Sequence, residues 1–404
     1  MHPRQRRLIV GASVVLLAIV VIFPWIRQVA ARPAIADFAP TRTPDEAAAR
    51  VAAAQKRQTQ QRHDALQRTT TSGELPLVPT VFFPQTGHHL SNRAGFLDFW
   101  RANGQALIFG YPITEEIVED DQVVQYFERA RFEYHAAEAG EAGEIRLGLL
   151  GREMQGEADS AGVPDPQNGS RYFPETRHTL SGEFLTYWKR RGGLPIFGYP
   201  ISEKVEENGR IVQYFERARF EYHPEDMKSF YRQVEQANGI SLHTLHEVVL
   251  SDVGRQAADA RSLRTAPADK LTGVAEWSPT LWQRRIEVNL SSQRLIAYED
   301  DLVVYRAPVA TGRNGFTTPT GSFAVYDKLR LQTMSGDAGG ESWYVPNVPW
   351  VMYVVGGVAL HGTYWHDKFG SGYRLSHGCI NLGMDDAEWL YSWADVGTPV
   401  EIYY

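Results

Sequence analysis

An eleven-residue segment occurs twice in this chain, letter for letter, and this repeat restricts the fold more than any other feature. Residues 125–135 read QYFERARFEYH and recur at 213–223, an offset of 213 − 125 = 88 residues. The stretch FGYP at 109–112 recurs at 197–200 with the same offset. Two copies are too few for a solenoid, so we expect one paired module of two small α+β units.

The two copies are expected at residues 79–155 and 168–250. In the second copy, Phe184, Leu185 and Trp188 follow helical spacing within 180–190, and a Gly-Gly pair at 192–193 ends that helix. Residues 211–223 predict two strands with a turn near Arg217. The aromatic residues could stack on sugars of the cell envelope, although a role in the cores of the units accounts for most of them.

The region that follows the repeats differs from them in sequence pattern. Apolar residues such as Phe230 and Val234 predict a helical extension that packs against the second copy. Residues 251–276 are predicted to be a polar linker. The GG and FGYP stretches resemble, weakly, the LGFP repeats of bacterial cell-wall proteins, which implies a cell-wall polymer as the partner of this module.

The N-terminus predicts export. Arg4, Arg6 and Arg7 precede 19 uncharged residues at 8–26, which is long enough to span a bilayer with the basic end in the cytoplasm. We expect residues 1–36 to be a transmembrane anchor; a signal peptide cleaved near 34–36 is the alternative, and would make the protein secreted. Residues 37–78 predict a helical stalk that starts near Pro44. The body of the protein would then lie outside the cell membrane.

Charge and cysteine content exclude several functions. The net charge of −7 and a pI near 6.0 give no basic footprint for nucleic acid. Cys379 is the single cysteine, so no zinc site can be built from a cysteine cluster. No metal or organic cofactor is implied.

Cys379 is a candidate nucleophile. In an exported chain it has no partner for an internal disulfide, and His361 and His377 could activate it. On that basis we expect its alkylation to persist below the ordinary thiol pKa of about 8.5. A small buried hydrophobe is the alternative role, and the polar, glycine-containing surroundings at 376–381 argue against it.

Residues 277–404 predict a compact, mainly β domain. Ile286, Val288 and Leu290 alternate with polar residues as one face of a strand. Further strands are expected at 294–298, 302–309, 321–327, 350–361 and 398–403, and a short helix at 385–393. The whole chain is thus expected to be a multidomain α+β protein.

The motif set in this domain resembles the L,D-transpeptidase (YkuD) family. His361, fourteen intervening residues and SHGCIN at 376–381 carry the resemblance, supported by ATG at 310–312, TPTG at 318–321 and GTPV at 397–400. The resemblance implies that Cys379 attacks the carbonyl between the third and fourth residues of a peptidoglycan stem peptide and releases D-alanine. The amine of a second stem then takes the acyl group, which gives a 3→3 cross-link.

The resemblance also implies roles for the neighbouring residues. His361 would be the base, oriented by the backbone carbonyl of Gly362, and His377 would lie behind the reacting groups or touch substrate. Gly378 would present a backbone N–H to the oxyanion. The candidates for substrate binding are Ser376, Asn381, Tyr353, Trp365 and Met334, each of which could instead be structural. The turn at 318–319 is expected to be structural only.

Other outcomes of the acyl-enzyme stay open at this point. Water as the acceptor would make the protein an L,D-carboxypeptidase, and a free D-amino acid or a protein amine would make it an attaching enzyme. A wall-binding protein without activity is the non-enzymatic alternative. The expected partners are donor and acceptor stem peptides, cell-wall polymer bound by the repeats, and the membrane.

Overall fold

The computed structural model describes residues 42–69, 78–136, 143–155, 169–242, 244–338 and 341–404. The helices are α1 (Pro44–Thr69), α2 (Phe96–Ala102), α3 (Gln105–Ile108), α4 (Leu150–Gln155), α5 (Gly182–Arg190), α6 (Gly193–Phe197), α7 (Ser229–Asn238), α8 (Val253–Ala260) and α9 (Met384–Trp393). Short 3₁₀ turns lie at Pro224–Asp226 and Leu245–Glu247. The predicted anchor at 8–26 and cleavage site at 34–36 lie outside the described residues. Within those residues, no helix has both the length and the apolar character needed to cross a bilayer.

The strands before the C-terminal domain are β1 (Thr80–Phe83), β2 (His88–Ser91), β3 (Ile117–Glu119), β4 (Gln122–Tyr126), β5 (Arg131–His135), β6 (Glu144–Leu147), β7 (Arg171–Phe173), β8 (His178–Leu180), β9 (Val205–Glu207), β10 (Arg210–Tyr214), β11 (Arg219–Tyr222), β12 (Val248–Leu250) and β13 (Ala275–Glu276). Those of the C-terminal domain are β14 (Arg284–Asn289), β15 (Arg294–Glu299), β16 (Leu302–Ala310), β17 (Gly321–Ala324), β18 (Asp327–Ala338), β19 (Glu341–Val355), β20 (Val358–Gly362), β21 (Ile380–Leu382) and β22 (Pro399–Tyr403).

The C-terminal domain is built on one nine-stranded sheet, in the order β17-β22-β14-β15-β16-β21-β20-β19-β18. This confirms the predicted mainly β domain and its short helix, α9. The single strand predicted at 350–361 is wrong, because the chain turns at Gly356, whose φ is +51°, and divides the segment between β19 and β20. The two long strands β18 and β19 pair as an antiparallel hairpin.

Side chains alternate between two faces of this sheet. Leu360 and Ile380 are paired in β20 and β21 and lie in the apolar core that includes α9. Tyr353 and Ala359 are the immediate neighbours of residues in that core, so their side chains point to the opposite face. There they belong to a second apolar cluster that includes Cys379. Because successive strand residues point to opposite faces, one face holds the fold together and the other is available for chemistry.

The repeated segments form two four-stranded sheets with the same strand order, β3-β4-β5-β6 and β12-β11-β10-β9. Their equivalent tryptophans are buried and make equivalent hydrogen bonds: Trp100 Nε1 donates to the Gly110 carbonyl at 2.9 Å, and Trp188 Nε1 to the Gly198 carbonyl at 3.0 Å. Most aromatic residues of the repeats are likewise buried in one continuous core. These rings stabilise the units and are not free to stack on sugars.

Each repeat is closed by a helix from the other. Helix α4 follows the first sheet and packs on the second: a Cβ at Gly151 would lie 1.8 Å from the Phe215 carbonyl. Helix α8 follows the second sheet and packs on the first, where a Cβ at Gly254 would lie 2.0 Å from the Phe127 carbonyl. The predicted linker at 251–276 is therefore wrong in part, because it contains α8 and also β13, which extends the β1–β2 sheet.

Helix α7 of the predicted extension packs against the C-terminal domain, whereas Leu245, Val248 and Leu250 pack, as predicted, in the core of the repeats. Phe230 and Tyr231 of α7 belong to the core of the nine-stranded sheet. Trp350 Nε1 donates to Tyr231 Oη at 3.1 Å, and Tyr231 Oη donates to a carboxylate oxygen of Glu388 at 2.5 Å. Burial of these aromatic side chains in the core of the catalytic domain stabilises this packing.

Helix α1 begins where it was predicted, with a capping box in which Thr43 Oγ1 accepts from the Glu46 N–H and Glu46 accepts from the Thr43 N–H. Its contacts are those of a docked helix and not of a free stalk. Arg50 lies 3.3 Å from Asp327, and Gln55 Nε2 donates to the Gly397 carbonyl at 3.1 Å. The helix therefore lies along the C-terminal domain.

Candidate active site

A tight loop places Cys379 at the start of β21. The Ser376 hydroxyl donates to the Cys379 carbonyl at 2.5 Å and accepts from the Gly378 N–H at 3.1 Å. Gly378 has φ +117°, a conformation that a residue with a side chain rarely adopts. In this structure the Gly378 N–H donates to Ser376 Oγ, and its role toward an oxyanion stays a prediction.

His361 lies on the neighbouring strand and on the same face as Cys379. In the parallel register of β20 and β21, His361 is paired with Asn381, two residues beyond Cys379. Its Nδ1 is 3.0 Å from the Gly362 carbonyl, which makes Nδ1 the protonated nitrogen. Burial lowers the pKa of His361 to about 4, so the ring is neutral at pH 7 with a lone pair on Nε2.

The Cys379 thiol is half-buried and protonated. Its Sγ donates to the Gly357 carbonyl at 3.8 Å, and burial raises the pKa of the thiol to about 11. Moving the charged thiolate out of water costs more free energy than its hydrogen bonds in the protein recover. The expected low-pKa thiolate is therefore wrong: the resting pair is a neutral thiol and a neutral imidazole.

The ionisation of Cys379 gives a direct prediction. We expect iodoacetamide alkylation to rise through pH 9 and 10 and to level off near the raised pKa of about 11. The chain unfolded in urea is a matched control, because its single cysteine should titrate near the ordinary value of about 8.5. Mass spectrometry of the alkylated protein measures both rates. A plateau below pH 8 in the folded protein would contradict the burial argument.

His377 is held away from the sulfur by other groups. Its ring stacks on Trp343 with 4.1 Å between centroids, and its Nε2 lies 3.0 Å from an Arg313 nitrogen. Phe316 packs edge-on against the same ring at 4.8 Å. Burial, with the Arg313 charge as the next cause, lowers the pKa of His377. His361 therefore keeps Nε2 as an acceptor, whereas His377 Nε2 already accepts from Arg313.

A buried hydrogen-bond network fixes the catalytic loop from behind. Gln293 Nε2 donates to Thr311 Oγ1 at 2.7 Å, and Thr318 Oγ1 accepts from the Gly312 N–H at 2.8 Å. The Thr318 hydroxyl in turn donates to the Gly378 carbonyl at 2.8 Å. The turn at 318–319, predicted to be structural only, thus also binds the catalytic loop, and the place of Thr318 in the TPTG motif was the sequence signal for this contact.

The remaining predicted residues are distributed around the same face. Tyr353 and Met334 are buried in the apolar cluster that includes Cys379, and burial raises the pKa of the Tyr353 hydroxyl. Trp365 is 42% exposed, and its ring centroid lies 5.8 Å from that of His361. Asn381 is buried and contacts His366, a histidine outside the predicted site residues.

Comparisons with known proteins assign the C-terminal domain to one family. The family model for the YkuD L,D-transpeptidase catalytic domain matches residues 283–402. L,D-transpeptidase 1 of Mycobacterium tuberculosis is 25% identical over 213 residues, covering 42% of this chain and 83% of that protein. Probable L,D-transpeptidase 3 of the same organism is 32% identical over 99 residues, covering 23% and 36%.

Among solved structures, the crystal structure of M. tuberculosis L,D-transpeptidase 1 matches with 24% identity and a TM-score of 0.26. The match covers 30% of this chain and 63% of that one. The matched residues include the loop of Cys379, the strand of His361 and the hydrogen-bond network behind that loop. Residues 283–402 therefore belong to the YkuD family of L,D-transpeptidase catalytic domains, and the chain is an enzyme of that class.

Proposed function

We propose that this protein forms 3→3 cross-links in peptidoglycan by acyl transfer through Cys379, with His361 as the general base. One observation carries the proposal: His361 and Cys379 share one face of the β20–β21 pair, while the Gly362 carbonyl holds the imidazole proton on Nδ1. The Nε2 lone pair, on the same face as Cys379, is then the candidate base for the thiol. A base with a pKa of about 4 and a thiol with a pKa of about 11 exchange a proton only as the sulfur attacks.

The reaction has two balanced halves. Cys379 Sγ bonds to the carbonyl carbon between the third and fourth residues of a donor stem, and its proton passes to His361 Nε2. The C–N bond then breaks, the leaving amine takes that proton, and D-alanine departs from a thioester. In the second half an acceptor amine attacks the thioester carbonyl and gives its proton to His361. The C–S bond then breaks, His361 passes the proton to the sulfur, and the thiol is restored.

The sulfur must first leave its resting contact. Cys379 Sγ donates to the Gly357 carbonyl, so rotation about the Cα–Cβ bond of the cysteine precedes attack. This rotation moves the sulfur away from the apolar cluster that contains Tyr353 and Met334. The bound donor would supply apolar contacts in place of those that the sulfur loses. Trp365, with its exposed ring next to His361, is proposed as a wall of the substrate groove.

We further propose that the tandem repeats hold the enzyme on cell-wall polymer and that the N-terminal apolar run anchors it in the membrane. The basic residues before the uncharged run at 8–26 support the anchor. The interlocking of α4 and α8 supports one rigid binding body, because neither repeat is closed without the other. On this proposal, the catalytic domain works in the space between membrane and wall.

Product analysis tests the reaction. The full-length protein is incubated with a disaccharide-tetrapeptide and its products are weighed by mass spectrometry, beside the Cys379→Ala variant. We expect dimers that have lost one D-alanine with the wild type and none with the variant. Tripeptide without dimer would indicate a carboxypeptidase. Unchanged substrate with both proteins would contradict the transpeptidase proposal and favour wall binding alone.

A further inference from the structure

The first repeat contains an aromatic slot that is filled by a tryptophan from outside the repeat. The slot is formed by Phe83, Trp100 and Tyr111, and the ring centroid of Phe83 lies 5.2 Å from that of Trp100 and 5.8 Å from that of Tyr111. Trp277 stacks on Phe83 with 5.8 Å between centroids and 17° between the ring planes. It also packs edge-on against the other two rings.

Strand β13 carries this tryptophan into place. It pairs in parallel with β1, with Ala275 opposite Val81 and Glu276 opposite Phe82. The Trp277 N–H then donates to the Phe82 carbonyl at 2.8 Å. The occupant of the first repeat is thus an extended segment that adds a strand to a sheet edge and inserts one aromatic ring. Strand addition of this kind is a general mode of peptide recognition.

The second repeat has the same slot without that occupant. Residues 81–90 read VFFPQTGHHL, and their equivalents at 171–180 read RYFPETRHTL. The ring of Phe173 lies 5.5 Å from Trp188 and 5.8 Å from Tyr199, which matches the centroid distances of the first slot. Among the described residues, however, β7 pairs only with β8, so the edge equivalent to the one that β13 occupies carries no strand.

Arg171 covers this second slot in place of a tryptophan. Its guanidinium carbon lies 4.7 Å from the ring centroid of Phe173 and 5.4 Å from that of Trp188. Arg171 is exposed, and a cation over an aromatic ring at an exposed site is held only weakly. An incoming aromatic ring can therefore displace it. The equivalent residue of the first repeat is Val81, which leaves the slot to Trp277.

We propose that the second repeat binds an extended segment of a partner protein, which pairs with the free edge of β7 and inserts an aromatic ring into the slot. By the register of the first repeat, the partner residue two positions before that ring lies opposite Arg171. An acidic residue there pairs with the displaced guanidinium, because residues directly opposite in a sheet interact. The partner segment therefore has the pattern acidic–any–aromatic. This binding is separate from the proposed acyl transfer and does not depend on it.

Peptides copied from the occupant of the first repeat test the site. Residues 271–279, LTGVAEWSP, are made with a fluorescent label, and their binding to the full-length protein is followed by fluorescence anisotropy. Trp277→Ala in the peptide should weaken binding at least about 20-fold, as for the loss of an aromatic anchor. Ala275→Glu in the peptide should tighten binding by about two- to fivefold, and Ala275→Lys should weaken it by a similar factor.

Variants of the protein locate the peptide on β7. Arg171→Val introduces the residue that the first repeat carries at this position, so the fold should tolerate it, and the preference for the glutamate peptide over the lysine peptide should be lost. Arg171→Glu should reverse the preference, because the opposite charge then faces the peptide. Arg294→Glu makes the same charge change at an exposed position of β15 and should leave the preference as in the wild type.

Three results would overturn the proposal. The first is that none of the peptides binds. The second is a preference for the glutamate peptide that Arg171→Glu leaves unchanged, since the peptide would then lie elsewhere on the protein. The third is a dimer of the protein, measured by light scattering, that the peptide dissociates. The occupant of the slot would then be a second copy of this chain and not a partner protein.

Discussion

Replacing His361 by glutamine is expected to lower the rate of Cys379 acylation by about 10²- to 10⁴-fold, the usual contribution of a general base. Glutamine fills similar space at this buried position and can still donate to the Gly362 carbonyl, but it cannot accept the thiol proton. With a thiol pKa near 11, the sulfur has no other route to the thiolate at pH 7. Single-turnover mass spectrometry of the acyl-enzyme measures the rate.

The variant His377→Gln is the matched control, because the sequence alone left two imidazoles as candidates for the base. We expect a loss below about tenfold, since the His377 ring packs between Trp343 and Arg313 and holds the loop without taking a proton. In the His361 variant, raising the pH toward 11 should recover activity as the thiolate forms unaided. A larger loss for His377→Gln than for His361→Gln would overturn the assignment.

Replacing Gly312 by alanine is expected to destabilise the catalytic domain by at least about 3 kcal/mol, the upper range for overpacking. The added Cβ would lie 2.0 Å from the Phe316 carbonyl and 2.6 Å from the Thr318 nitrogen, both of them backbone atoms. The chain must therefore move at the point where Thr318 binds the Gly378 carbonyl. Calorimetry should show an earlier unfolding transition, and acylation should slow as the loop of Cys379 shifts.

Gly315 provides the control for this substitution in the same loop. It has φ +84° but no atom within 4 Å of an added Cβ, so Gly315→Ala is expected to cost only about 1–2 kcal/mol of backbone strain. Acylation should stay near the wild-type rate because the Thr318 contacts are untouched. Equal losses of activity in the two variants would contradict the argument that Gly312 fixes the loop.

The candidate catalytic pair could be found from sequence because its signals are local. A single cysteine in an SHGC loop and a histidine at fixed spacing need no tertiary information to be selected. The repeat was visible for the same reason, since identical segments at a constant offset predict identical local structure. Helices α5 and α9 likewise follow from apolar spacing and from glycine at their ends.

Contacts between distant segments were not predictable in this way. Helix α1 has the composition of a stalk, yet Arg50 and Gln55 bind residues of the C-terminal domain. Helix α7 lies next to the second repeat in sequence and packs on Trp350. Apolar periodicity shows which face of a helix is buried, but not which surface buries it.

By itself, the sequence determined the repeated units, the β-rich C-terminal domain and the identity of Cys379 and His361, because residue type and spacing carry that information. Only the tertiary structure decided the ionisation of the pair and the surroundings of the base. Burial raises the pKa of Cys379 and lowers that of His361, and strand register places Asn381 beside the base. A pKa depends on solvent exposure and on the charges nearby, and both arise only when distant segments come together.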